Sequence, residues 1–224
     1  MLVWQELGVR EGVLSVIGSG GKTTLLATLA RELPGSVILC TTTHMLPFPG
    51  IPLLPGDEIQ PVREILLRER VVCLGRPDEK GKLTAPALPV SQLQTLAPWV
   101  LVEADGSKHL PLKAHAPYEP VIPPESQHTI LVAGASGFGR PILQAVHRPE
   151  RFCTLTGAGL EDLVTPELAA RAIARENLAR QVLLNQVEER ADWAAAQAFA
   201  RALEGSGIAV WAGSLRRGHL ERLQ

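Results

Sequence analysis

Residues 13–24 read Val-Leu-Ser-Val-Ile-Gly-Ser-Gly-Gly-Lys-Thr-Thr, and this stretch decides the fold of the 224-residue chain. An apolar run ends in a glycine-rich loop, and a helical pattern with leucines on one face follows at 22–33. In this order, glycines let successive backbone N–H groups converge on phosphate oxygens, and the N-terminus of the next helix adds partial positive charge. The stretch therefore predicts a phosphate-binding loop between a strand and a helix.

Individual residues of this loop have predicted roles. We expect a nucleoside triphosphate to be bound by Gly18, Ser19, Gly20, Gly21, Lys22, Thr23 and Thr24. Lys22 would reach the β- and γ-phosphates and stabilise charge in catalysis, and the Thr23 hydroxyl would ligate Mg²⁺. The full pattern G-x-x-x-x-G-K-[ST] places its first glycine at position 16, where this chain has Val16. The loop is a shortened variant, and the alternative is a glycine-rich turn that merely ends in Lys-Thr.

Short apolar runs alternate with helical patterns along the rest of the chain. The strand patterns lie at 13–17, 37–40, 71–74, 99–102, 129–133, 181–184 and 208–211. This alternation predicts the α/β class: a mostly parallel sheet with helices on both faces, like that of a P-loop NTPase. Since no repeat or linker divides the chain, we expect a single P-loop NTPase-like domain over 1–224, allowing for a small edge insertion around 76–98.

Composition excludes several function classes. The net charge of −1 gives no electrostatic case for binding nucleic acid or an anionic membrane. No apolar stretch approaches the roughly 18 residues that a membrane-spanning helix needs, and no N-terminal signal pattern is present. The three cysteines are widely spaced without a C-x-x-C pair, so we expect reduced cysteines in a cytoplasmic protein.

Acidic and hydroxyl side chains follow two of the predicted strands. Glu103 and Asp105 come directly after a buried strand and lie on the same side of an extended chain. In parallel sheets, ligands bind at the carboxyl ends of strands, so these carboxylates are predicted catalytic and Mg²⁺-binding residues. Thr42 lies in a run of three threonines after another strand and would offer a hydroxyl to the same metal. A polar turn and a β-rich edge are the respective alternatives.

The turn Asn185-Gln186-Val187-Glu188 follows a later strand and is similar to the N-K-x-D element with which GTPases bind guanine. Asn185 and Glu188 are therefore predicted to contact the base. Gln186 stands where that element has lysine, and Glu188 where it has aspartate, so the turn departs from the guanine-selective pattern at two positions. A polar turn at a strand end explains the same residues without a base contact.

Lysine is rare in this chain, because only five of the 22 basic side chains are lysines. Two of them, Lys108 and Lys113, lie beside the acidic strand end. A compact ammonium group on a flexible stem suits a phosphate or carboxylate ligand, although a solvated loop explains the placement equally well.

Several of these motifs together carry a resemblance to a known family. They are Gly-Ser-Gly-Gly-Lys-Thr-Thr at 18–24, Thr-Thr-Thr-His at 41–44, Glu-Ala-Asp-Gly-Ser-Lys at 103–108, Leu-Pro-Leu-Lys-Ala-His at 110–115, Glu-Pro-Val-Ile-Pro at 119–123 and Val-His-Arg-Pro-Glu at 146–150. The combination resembles the YqeC family, whose members are described as selenium cofactor biosynthesis proteins or accessory proteins of selenium-dependent molybdenum hydroxylases. The resemblance implies a phosphate-loop nucleotide-binding fold and a role in maturing a selenium-containing molybdenum centre.

We therefore expect an accessory protein that binds Mg²⁺ with ATP or GTP and hydrolyses the nucleotide or transfers its phosphoryl group. Its partners would be a molybdenum hydroxylase or the maturation proteins of its cofactor. The predicted acceptor or partner surface comprises Lys108, Lys113, His147 and Arg148. Two alternatives stay open. One is a small-molecule kinase or an ATP-dependent ligase that forms an acyl phosphate, and the other is a non-catalytic, nucleotide-switched chaperone for a molybdenum enzyme.

Overall fold

A computed structural model describes residues 2–224 of the chain. Its strands are β1 (Gly12–Gly18), β2 (Val37–Thr41), β3 (His44–Met45), β4 (Leu53–Leu54), β5 (Val71–Leu74), β6 (Arg76–Pro77), β7 (Leu83–Thr84), β8 (Trp99–Glu103), β9 (Leu112–Lys113), β10 (Ser126–Gly134), β11 (Val146–His147), β12 (Gln181–Asn185), β13 (Ala209–Ser214) and β14 (His219–Arg222). Its α-helices are α1 (Val3–Glu6), α2 (Lys22–Glu32), α3 (Ile59–Leu66), α4 (Val90–Leu93), α5 (Ile142–Ala145), α6 (Pro149–Thr156), α7 (Pro166–Glu176) and α8 (Arg190–Ala202).

Nine of these strands form one sheet in the order β14-β13-β12-β10-β1-β8-β2-β5-β4. Neighbouring strands run parallel from β13 to β4, and β14 is antiparallel to β13. The strand that leads into the glycine loop, β1, lies between β10 and β8. The predicted α/β class with a large, mostly parallel sheet is confirmed.

Helices cover both faces of this sheet because successive side chains of a strand point to opposite faces. On β1, Val13 and Ile17 pack into a cluster that includes residues of α3, α6, α7 and α8. Leu14 and Val16, between them, pack into a second cluster with residues of α1 and α2. The sheet therefore has an apolar core on each side, and its edges and strand ends are left for polar chemistry.

Local sequence signals set several of the element boundaries. Thr165 caps α7, since its hydroxyl oxygen accepts a hydrogen bond from the backbone N–H of Leu168 at 3.2 Å. Pro166 follows in the first turn, where its missing N–H has no cost. The helix ends at Asn177, which adopts the left-handed conformation that favours helix termination.

The segment around 76–98 contributes to a second, smaller sheet. In it β7 pairs antiparallel with both β6 and β3, so the segment is tied to the residues that follow β2. A third sheet pairs β9 with β11 in parallel and joins the proline-rich stretch after β8 to the start of α6. Among residues 2–224, no helix is long and apolar enough to cross a membrane.

The packing of α8 gives a stability prediction. Phe199 is fully buried against the sheet, so Phe199→Ala should lower the free energy of unfolding by about 3–5 kcal/mol through lost burial and a cavity. Leu67→Ala is the control, because Leu67 is 84 % exposed and should change stability by less than about 0.5 kcal/mol. Urea unfolding of both variants measures the difference, and equal effects would contradict the described core.

Candidate functional site

The glycine loop lies in close contact with the backbone of neighbouring strand ends. Gly20 and Gly21 have φ of 82° and 141°, a region that side-chain-bearing residues rarely adopt. A Cβ on Gly20 would collide with the backbone of Gly134, and one on Gly21 would collide with the amide of Asn185. Both positions therefore require glycine for conformation and for space.

Lys22 folds back over this loop toward the end of β8. Its Nζ donates to the carbonyl oxygen of Gly18 at 2.8 Å and lies 3.1 Å from an Asp105 carboxylate oxygen. The same ammonium is 3.8 Å from Glu103, and only 4 % of Lys22 is exposed. The two carboxylates predicted from sequence thus meet the predicted phosphate-binding lysine.

Asp105 is the centre of a buried charge cluster. One of its oxygens, Oδ2, accepts from the backbone N–H of Gly18 at 2.8 Å, from Lys113 Nζ at 2.9 Å and from His115 Nε2 at 2.9 Å. Burial alone would raise the pKa of Asp105. The hydrogen bond from His115 and the charges of Lys22 and Lys113 outweigh burial and hold this pKa well below its usual range.

His115 extends the cluster to α7, a connection that the sequence analysis missed. Its Nδ1 lies 2.7 Å from Glu176 Oε2, and its backbone N–H donates to the other oxygen of Glu176 at 2.6 Å. Burial would lower the pKa of His115, but the hydrogen bonds to Asp105 and Glu176 outweigh it and raise this pKa. The i, i+2 spacing of Lys113 and His115 indicates only that both lie on one side of an extended chain, and it gives no signal for the contact with Glu176.

Glu103 is the carboxylate that faces open space. It is 7 % exposed and lines a cleft of about 380 Å³. Burial raises its pKa to about 7, and the nearby charge of Lys22 offsets this only in part. The Thr23 hydroxyl lies 3.5 Å from Glu103, a long hydrogen bond that leaves the hydroxyl available to another ligand.

Five of the predicted phosphate-contacting residues line the cleft, and the other two are buried behind it. Gly20, Gly21, Lys22, Thr23 and Thr24 line the cleft together with Glu103 and Lys108. Beneath it, Gly18 donates to Asp105, and Ser19 donates to the carbonyl of Leu110. Lys113 lies below as well, since it is 7 % exposed and its ammonium is bound by Asp105, Glu119 and the Gly106 carbonyl.

The predicted acceptor surface lies in a second cleft of about 490 Å³ that adjoins the first. His147 and Arg148 line it, and Lys108 lines both clefts. Lys113, predicted as part of the same surface, instead supports it from below through Glu119, which also pairs with Arg148. Lysine in this chain thus serves both as a lining side chain and as a buried support.

The other side chains predicted to contact a base or a metal ion form hydrogen bonds and an ion pair within the protein. The Asn185 side chain donates to the carbonyl of Gly20 at 2.9 Å and accepts from the N–H of Leu215 at 3.0 Å, so it supports the glycine loop from behind. Glu188 is bound by Ser214 and Arg217 at 2.8 Å each. Thr42, predicted as a metal ligand, donates its hydroxyl to the carbonyl of Val121 at 2.6 Å.

Together, fold and site define an α/β protein with a glycine-rich loop, a buried lysine and an acidic strand end at the carboxyl edge of a parallel sheet. The chain belongs to the YqeC family, because the family described as YqeC protein matches residues 14–150, more than half of the chain. The resemblance inferred from the motifs is confirmed. The matched range includes the glycine loop, Glu103, Asp105 and Arg148, whereas Glu176 and Asn185 lie beyond it.

The chain is also similar to a curated protein of Escherichia coli (strain K12) that carries the name YqeC. The two are 34 % identical over 158 residues, which cover 66 % of this chain and 62 % of the relative. The chain thus spans about three-fifths of the length of the curated relative it matches.

The raised pKa of Glu103 predicts that removing its charge stabilises the folded protein, and that this gain in stability depends on pH. A folded pKa of about 7, above the ordinary 4.5, means that ionisation destabilises the folded state increasingly as pH rises between these values. Glu103→Gln should therefore raise the free energy of unfolding by about 2–3 kcal/mol near pH 8 and change it little near pH 4.5. Urea unfolding with a metal chelator present measures this.

A matched control is Glu161→Gln, which removes the charge of an exposed carboxylate and should show no such dependence on pH. A Glu103→Gln protein that is no more stable than the wild type near pH 8 would contradict the buried, destabilised carboxylate described here.

Proposed function

We propose that the chain binds a Mg²⁺–nucleoside triphosphate, ATP or GTP, in the cleft above the glycine loop and promotes hydrolysis or transfer of the γ-phosphoryl group. One observation carries the proposal: the ammonium of Lys22, at the glycine loop, lies 3.1 Å from the carboxylate of Asp105 and 3.8 Å from that of Glu103. On this proposal the fold is P-loop NTPase-like, and Lys22 stabilises charge on the phosphates.

The residues present fit a Mg²⁺ ion that is shared with phosphate oxygens. Among residues 2–224, no group of three or more His, Cys, Asp or Glu side chains is placed to hold a metal ion by itself. Mg²⁺ usually takes one or two protein ligands and completes its shell with substrate phosphates and water. Thr23 and Glu103 would hold the ion, which would neutralise phosphate charge, and both line the cleft.

Two carboxylates with opposite pKa shifts support separate roles. Asp105, with a lowered pKa and full burial, is a positioning residue that stays ionised and fixes Lys22 and the loop. Glu103, whose pKa burial raises to about 7, lacks a full partner for its charge in the ligand-free protein, so it suits a ligand for Mg²⁺ at the cleft. Such a divergence between neighbouring acids is a recurrent feature of catalytic sites.

The biological context of this activity comes from the family. We propose an accessory role in maturing the cofactor of a selenium-dependent molybdenum hydroxylase, with that enzyme or its maturation proteins as partners. Family membership supports this role in the broad sense of an accessory protein.

A second candidate function is a small-molecule kinase, or a ligase that forms an acyl phosphate. The observation that favours it is the second cleft, which adjoins the first and is lined by Lys108, His147 and Arg148. A kinase or ligase needs such a space beside the triphosphate for its second substrate.

Nucleotide binding is tested first with Thr23→Val, which removes the hydroxyl but keeps the shape of the side chain. Because the hydroxyl makes only a 3.5 Å contact, the fold should be retained while the Mg²⁺-dependent part of nucleotide affinity falls by at least about tenfold. Titration calorimetry with ATP and GTP, with and without Mg²⁺, measures the loss.

Thr95→Val is the matched control, since Thr95 is exposed and bonds only within its own turn. Lys22→Ala should abolish the nucleotide-induced rise in melting temperature. If the wild type shows no response to any Mg²⁺-nucleotide, or if Lys22→Ala responds as the wild type does, the proposal is wrong.

A further inference from the structure

All five lysines of the chain lie at the two adjoining clefts. Lys22, Lys80, Lys82 and Lys108 line them, and Lys113 supports their floor. The other 17 basic side chains are arginines. Lysine is a compact, mobile point charge that suits changing contacts with oxyanions, whereas arginine suits fixed, bidentate pairs. This concentration of lysine indicates that the clefts need cations that can move with a ligand.

The second cleft has a surplus of positive charge in a chain of net charge −1. Its lining carries four cationic side chains, Lys80, Lys82, Lys108 and Arg148, against two carboxylates, Asp78 and Glu119. Glu119 is already paired with Arg148 and with Lys113 beneath it. Because Glu119 is matched by two cations and Asp78 is the one other lining carboxylate, the three lining lysines leave a surplus of positive charge for a ligand.

Asp78 has a local structural role that explains its presence among these lysines. Its carboxylate accepts the backbone N–H groups of Lys80 and Lys82, at 2.8 Å each. These hydrogen bonds, that from Lys82 foremost, lower the pKa of Asp78. The carboxylate therefore fixes the backbone of the turn between β6 and β7, which carries both lysines at the rim of the cleft.

The pKa of His147 reflects the positive charge around this cleft. Partial burial and the positive charges of Arg148, Lys113 and Lys108 lower its pKa to about 4. The histidine is thus neutral at physiological pH, and it can accept or donate a hydrogen bond without adding charge. A neutral imidazole beside mobile ammonium groups suits a polar, anionic ligand.

Lys82 and Lys108 line both clefts, so they stand between the proposed triphosphate and anything bound in the second cleft. Two anions can approach each other closely only if cations lie between them. Lys108 and the adjacent His109 have φ of 48° and 60°, a left-handed conformation that is unfavourable for non-glycine residues. Such strain is often retained where a ligand contact requires it.

From these observations we propose that the second cleft, lined by Lys80, Lys82, Lys108 and Arg148, binds the anionic group of a small second substrate, a phosphate- or carboxylate-bearing molecule, beside the γ-phosphate. The inference rests on the proposed function, because it takes the first cleft as the triphosphate site. It adds that the reaction has an acceptor other than water, and it names the chemical class of that acceptor.

The test measures anion binding to the full chain after the first cleft has been filled. The chain is saturated with Mg²⁺ and a non-hydrolysable triphosphate analogue, and calorimetry then follows titration of inorganic phosphate and, separately, of citrate. We expect one of these probes to bind with a dissociation constant of about 10 mM or lower. The probe that binds more tightly distinguishes a phosphate-bearing from a carboxylate-bearing substrate.

Three variants identify the binding surface. Lys80→Glu should weaken probe binding by at least about fivefold and leave analogue affinity unchanged, because Lys80 lines only the second cleft. Lys80→Arg should restore most of the affinity, since it restores the charge. Arg63→Glu reverses an exposed charge on α3 and should behave as the wild type. Absence of probe binding, or equal binding by Lys80→Glu and the wild type, overturns the inference.

Failure of the nucleotide proposal is recognised separately. If the analogue does not bind to the wild type, the proposed function is wrong. The probes are then titrated into Lys22→Ala without nucleotide, because its glycine loop lacks the lysine that would otherwise bind them. Probe binding that depends on Lys80 would still support an anion site in the second cleft. Probe binding that does not depend on Lys80 would contradict the anion site in the second cleft as well.

Discussion

One buried carboxylate, that of Asp105, joins three other parts of the chain. It binds the glycine loop through the N–H of Gly18, helix α2 through Lys22, and the segment at and after β9 through Lys113 and His115. A carboxylate without exposure is strongly unfavourable unless several donors compensate for its lost hydration. Gly18 lies 87 residues before Asp105 in the sequence, so the shape of the glycine loop depends on the segment after β8 being in place. The conformation of the loop is a tertiary property and not a local one.

The neighbouring Glu103 is in the opposite situation. Its pKa of about 7 means that burial disfavours the charge of this carboxylate more than Lys22 and Thr23 stabilise it. Residues that lower stability while they face a cleft are typical of binding and catalytic sites, where selection acts on function. The two acids are two positions apart on one strand end, yet one organises the fold and the other faces the ligand space. Sequence spacing alone predicted the same role for both, because it contains no information on which donors arrive from elsewhere.

Features that depend on neighbouring residues could be predicted from the sequence, whereas contacts between residues distant in the sequence could not. The sheet class and the strand before the glycine loop depend on local patterns, and the structure has both. The link from His115 to Glu176 spans 61 residues, and no local pattern indicates it. Asn185 and Glu188 resembled a base-binding element, but their side chains bind Gly20, Ser214 and Arg217 within the fold. Lys113 was expected on a partner surface and is buried, because its partners Asp105 and Glu119 come from two different loops.

The distribution of lysine has a practical consequence for chemical labelling. Lys80, Lys82 and Lys108 are exposed, whereas Lys22 and Lys113 are almost fully buried. Among the side chains, amine-reactive probes and enzymatic acetylation of lysine would therefore modify only those at the two clefts and would leave the arginines unmodified. Each modification would remove a positive charge from the rim of the two clefts. Chemical modification of lysine would therefore report on the region of the two clefts and would neutralise its positive charge.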